Sequence, residues 1–347
     1  MPADQLDDAL SLFAATAPQF GPFGLSNHGP MASEALARLG RVDAIEGWAA
    51  AYRERLSGAP PASTRPLGEG DWPDALGQAA RFPDWRARFE TEIADRPVAA
   101  VVGEWVPRLV PGTVGAATHG LIRTAHGLRA LDEADTPPRR LEVALGLAHW
   151  AARYQELPGP PLLIGRQAVP EALADLPYLP EETPDEFLIT DRVAHMADIP
   201  DEFEQGVASL GFSGPPLALL DALALGGAKA YLRNAGTGNP IALIHSVTGP
   251  LALELVLPWL SEDDRAAALG YAWQAVAAIH VAYDTERHDA VGTDDRVPSQ
   301  EELVERAVGT GDEHAIKLTE AALRSHARTG EPALLLAAAD WTARLGG

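Results

Sequence analysis

The sequence predicts an all-α fold, a single large helical domain with a buried histidine-rich metal site, and three observations carry that reading. The 347 residues are 46% hydrophobic but only 6% aromatic. Ala and Leu outnumber Ile, Thr and Tyr, a balance that favours helix over strand. Apolar residues recur at helical spacing along most of the chain, with no sustained alternation and no internal repeat. Finally, His119, His126, His245, His280 and His314 fall within such apolar stretches, and His28 sits in a turn beside one. A buried imidazole needs partners for both ring nitrogens, and neutral imidazole is a first-choice ligand for zinc, iron, copper and nickel.

The elements follow in order. His28 lies in the Gly-Pro-bounded turn FGLSNHGPMASEAL. Ser33 then caps a helix to about residue 56, with Leu36, Leu39, Ile45, Trp48 and Tyr52 on one face. Residues 58–73 are a Pro/Gly-rich loop, and a helix over 73–95 is interrupted at Pro83. Residues 111–131 read as a buried helix capped by Thr113, and an amphipathic helix follows over 139–157. From about 158 to 216 the chain is richer in Pro, Asp and Glu, an irregular excursion within one domain spanning 1–347. Helices return at 215–234, 240–258, 262–283, 300–308, 312–328 and 332–344. Asn239-Pro240 and the pair Ser261 and Asp264 supply start signals.

Composition narrows the function. With 49 acidic against 27 basic residues the formal charge is −22. Such a surface repels nucleic acid and anionic lipid, so neither is expected as a partner. The absence of cysteine excludes disulfides, thiolate metal sites, iron–sulfur clusters and cysteine nucleophiles. The acidic start MPADQLDDALSLF lacks the features of a signal peptide. The apolar run LALELVLPWL is short and carries Glu254 and Pro258, so no membrane span and a cytoplasmic protein are expected.

Several enzyme signatures are missing. No His is followed two residues later by an acid, no Glu stands three residues before a His, and there is neither His-Glu-x-x-His nor Gly-x-Ser-x-Gly. Gly236-Thr237-Gly238 and Gly309-Thr310-Gly311 read as helix-end turns rather than nucleotide loops. His149, His195, His288 and His326 stand among charged or turn residues and read as surface histidines. Within the central helix His119 and His126 are seven residues apart, about 10 Å along the axis, with Arg123 between them on nearly the same side. His314 and Lys317, at i and i+3, share a face.

The stretches NHGPMASEALARLG, ATHGLIRTAHGLRAL, IHSVTGP and DEHAIKLTEA together resemble the questin oxidase-like family, over about residues 28–323. The resemblance implies a mononuclear non-haem iron centre of four histidines and a carboxylated lysine. Carried onto this chain, the metal ligands are His28, His119, His245, His314 and Lys317, with His280 the alternative for the fourth histidine. His126, His280 and Arg123 are then the residues expected to assist catalysis. Where fungal members place a second histidine four residues after the first of the THG motif, this chain has Arg123.

The implied cofactor is iron(II), with molecular oxygen as co-substrate and a carbamate on Lys317. A buried lysine loses its proton readily, and the neutral amine adds carbon dioxide to give a hard anionic oxygen ligand. The implied activity is oxygen insertion into, or ring cleavage of, a polycyclic aromatic such as an anthraquinone-like polyketide. Trp48, Tyr52, Trp105, Trp273 and Tyr283 are candidate pocket walls for this small-molecule partner. A zinc-dependent hydrolase or lyase using the same cage, or a non-catalytic helical binding protein, are the alternatives.

Overall fold

The computed structural model describes residues 2–59, 62–236, 239–285, 287 and 297–346; His288 and the pair Thr237 and Gly238 lie outside them. Seventeen α-helices make up the described structure, and its only strands are a two-residue pair, so the fold is all-α. The chain divides into two compact units, Met1–Gln155 with Leu255–Ser261, and Glu156–Glu254 with Glu262–Gly347.

In the first unit, helix α1 (Pro2–Ala14) buries Leu6, Leu10 and Phe13 along one stripe. A small antiparallel hairpin follows, β1 (Gln19–Phe20) and β2 (Leu25–Ser26), and delivers the chain to His28. The helix expected from Ser33 to residue 56 is two helices, α2 (Gly29–Arg38) and α3 (Val42–Arg53). Gly40, at φ 75, takes the left-handed turn that ends the first, and Pro30 in its first turn makes His28 rather than Ser33 the N-cap. After the four-residue α4 (Trp72–Ala75), Pro83 likewise starts α5 (Phe82–Asp95) instead of interrupting it. Helix α6 (Val98–Leu109) has no counterpart in the sequence reading, because β-branched residues and Pro107 obscure its period. It nonetheless buries Val101, Val102, Trp105 and Val106 completely.

The helix expected from Thr113 starts later. A 3-10 turn at Val110–Gly112 precedes Ala116, Ala117 and Thr118, all left-handed at φ 49, 54 and 65, and α7 (His119–Glu133) begins only then. Its partner α8 (Pro137–Ala152) crosses it closely: a Cβ on Gly120 would stand 2.5 Å from Trp150 Cα, and one on Gly146 2.8 Å from Thr124 Cα. Glycine on both helices is what lets the two backbones meet.

In the second unit the Pro/acid-rich stretch holds three short helices, α9 (Val169–Ala174), α10 (Ile189–Ala194) and α11 (Pro200–Ala208). Then come α12 (Pro216–Asn234), α13 (Pro240–Val256), α14 (Glu262–Tyr283), α15 (Gln300–Thr310), α16 (Glu313–Thr329) and α17 (Pro332–Arg344). One sequence expectation needs correction here. Helix α13 runs through a 3-10 turn to give a stretch, Pro240–Trp259, of 20 residues that is long and apolar enough to cross a membrane. Of its apolar window 78% is buried, as expected of a core helix that is hydrophobic all round.

Candidate functional site

Each unit brings two of the predicted ligand histidines together. In the first, the loop before α2 is pinned by Asn27, whose Oδ1 accepts from Gly29 N (2.9 Å) and whose Nδ2 donates to Thr16 Oγ1 (2.8 Å). The His28 amide donates to the Tyr52 hydroxyl at 3.0 Å, and His28 is 5% exposed. His119 opens α7 directly after the left-handed residues, and its Nδ1 lies 2.5 Å from the Ala116 carbonyl. A carbonyl can only accept, so Nδ1 carries the proton and Nε2 keeps its lone pair. The His28 and His119 ring centroids are 4.4 Å apart, tilted by 37°. Three consecutive non-glycine residues in the left-handed region cost about 1–2 kcal/mol each, strain of the kind that collects at functional positions.

In the second unit His245 repeats this arrangement: Nδ1 donates to the Ile241 carbonyl at 2.9 Å, again leaving Nε2 with the lone pair. Burial, with the Lys317 charge adding to it, pushes His245 down to about 3, so the ring is neutral. Its centroid lies 5.6 Å from that of His314, at 74°. Asp312 caps α16, its Oδ1 accepting from His314 N (3.0 Å) and Ala315 N (2.8 Å), which fixes His314 in the first turn. Lys317, one turn on, is 3% exposed. Burial pushes its ammonium down to about 8, against Glu313 and Asp312, which hold it up. A lysine in that range carries a useful fraction of neutral, nucleophilic amine at neutral pH.

The three residues expected to assist catalysis are each faced by a carboxylate. His126 Nδ1 is 2.7 Å from Glu34 Oε2, a carboxylate that also takes Arg129 Nε and Arg38 Nε at 2.8 Å. Burial works to raise the Glu34 pKa, but Arg129 and His126 outweigh it and hold the carboxyl well below its usual range. Arg123 makes a bidentate pair with Glu142, at 2.6 and 2.9 Å, and both side chains are almost fully buried. His280 has no exposed surface; its Nδ1 lies 3.3 Å from Asp284 Oδ2 without hydrogen-bond alignment, and among the described residues its Nε2 has no partner.

His149 departs from its expected place on the surface. It is 2% exposed, with Nε2 3.3 Å from Ser26 Oγ and, among the described residues, Nδ1 without a partner. Burial, then the charges of Arg123 and Arg153, push it down to about 3. Helix α8 packs against both α5 and α7, so the face that reads as polar is covered too. His195 and His326 are half-buried, held by Asp198 (2.7 Å) and the Glu331 carbonyl (2.9 Å). Among the expected pocket walls, Trp105 packs edge-on against Trp85 and Phe89, and Trp273 donates to the Val207 carbonyl, so both serve the core. Trp48 stacks on Tyr52 at 4.9 Å, and burial pushes the Tyr283 hydroxyl up to about 12. Tyr52, Asn27 and Glu34 are the positioning residues that sequence patterns did not single out in those roles. No protein-family model and no curated protein matches the chain.

Proposed function

We propose that the protein is a non-haem iron-dependent oxygenase acting on a polycyclic aromatic, anthraquinone-like or polyketide metabolite. The proposed ligands are His28, His119, His245, His314 and Lys317. The reading starts from the sequence resemblance, and one observation supports it above the others. His119 and His245 each give Nδ1 to a main-chain carbonyl, leaving Nε2 as the donor atom in each of two paired imidazole groups. Hydrogen bonding of the distal nitrogen is how proteins fix the tautomer and orientation of a metal-bound histidine.

The donor set fits iron(II). Neutral imidazoles suit it, and a carbamate on Lys317 adds the anionic oxygen that a purely histidine site lacks. Bound iron supplies the one-electron chemistry that lets molecular oxygen react with an electron-rich ring, with oxygen insertion or carbon–carbon cleavage as the outcome. The protein's own residues hold that set in place. Tyr52 and Asn27 fix the His28 backbone, the strained turn at residues 116–118 aims His119, and the Asp312 cap seats His314.

Single substitutions test the ligand set. Lys317→Ala is expected to lose iron and regain part of it with added formate, which replaces the missing anionic oxygen. His245→Ala is expected to lose iron while His326→Ala keeps it. Full iron retention in Lys317→Ala overturns the carbamate, and equal retention in the two histidine variants overturns the assignment of His245.

A further inference from the structure

The second unit contains a small cleft of about 130 Å³ between α9 and α12. Val169 and Leu173 of α9 and Leu225 of α12 make apolar walls, while Lys229, Arg233 and Arg287 also line it. Leu225, Lys229 and Arg233 succeed one another at four-residue spacing, so they form one stripe along α12.

The charges in this cleft do not balance among the described residues. Arg233 Nη2 pairs with Asp284 Oδ2 at 2.8 Å, while its buried Nε has no hydrogen-bond partner. Arg287, 6% exposed, donates to the main-chain carbonyls of Asp284 (3.0 Å), His280 (3.3 Å) and Leu176, and lies 3.9 Å from the centre of the Tyr178 ring. Among the described residues neither Arg287 nor Lys229 forms an ion pair. Among the described residues these three cations have one carboxylate, Asp284, to share, in a chain whose formal charge is −22. A buried guanidinium without a counter-charge is costly, and an anion entering from solvent relieves it. A bare inorganic anion would leave Val169, Leu173 and Leu225 unused. An apolar body attached to a carboxylate uses both parts of the lining.

We propose that this cleft binds a small organic carboxylate, its charge against Lys229, Arg233 and Arg287 and its alkyl or aryl body against Val169, Leu173 and Leu225.

The test is calorimetric titration of the full-length protein with hexanoate, with hexanamide and inorganic phosphate as controls. Saturable hexanoate binding is expected, with both controls at least about tenfold weaker, since each lacks one half of the recognition. Lys229→Met keeps the apolar stem of a half-buried residue and is expected to weaken hexanoate about tenfold, with Lys229→Arg restoring it. Circular dichroism of both variants checks that α12 is intact. Equal binding of hexanamide would show an apolar slot alone, and equal binding of phosphate a charge site alone. Either result, the absence of hexanoate binding, or undiminished binding by a folded Lys229→Met, overturns the proposal.

Discussion

An imidazole buried away from water stays neutral well into acid, and His149 turns that into a pH dependence. Its pKa is about 3 in the folded protein against an ordinary 6.5. Below pH 6.5 the unfolded chain takes up a proton that the folded chain refuses, so unfolding becomes easier as protons are added. The contribution of this group is complete above 6.5 and is lost as pH falls toward 3, at up to about 1.4 kcal/mol per pH unit. His149→Gln removes that proton uptake and should flatten the acid side of the stability profile, measured as urea midpoints between pH 6.5 and 4. An unchanged slope would show that His149 is hydrated in the folded state. The apolar surroundings of His119, His245 and His280 made their burial legible from sequence. Glu34 and Asp284 were not legible in the same way. Glu34 is bound by residues 92 and 95 positions away, and Asp284 by Arg233, 51 positions back, pairings that no local pattern announces.

Punctuation decided which helices could be read. In the C-terminal half Pro216, Pro240 and Pro332 open helices while Gly311 and Gly330 close them, so the element bounds there follow the sequence closely. The start of α7 gave no such signal, since Ala116, Ala117 and Thr118 are not residues that advertise a left-handed backbone. Ala117→Gly should therefore stabilise the protein by about 1 kcal/mol, as relief of the steric penalty exceeds the added chain entropy. Ala117→Val, which adds a β-branch there, should destabilise by more than that; thermal melts that rank the two the other way would contradict the strained turn. The α7–α8 contact carries a second test. Arg123→Met strands the buried Glu142 carboxylate and should cost about 3–5 kcal/mol, whereas adding Glu142→Leu should recover most of it. A marginal effect of Arg123→Met on denaturant midpoints would mean the pair is not buried as described.

At the scale of the whole chain, helix content and the histidine-rich interior were written in composition and periodicity. The division into two units was not, because it depends on which helices pack against which. An ion held by the folded chain alone must stabilise it by mass action. Elemental analysis tests this most directly, on protein purified without affinity tag or chelator and then loaded anaerobically with iron(II). The account predicts stoichiometric iron, retained on desalting and accompanied by a higher melting temperature. Zinc that iron cannot replace, or no metal retained under either condition, would contradict it.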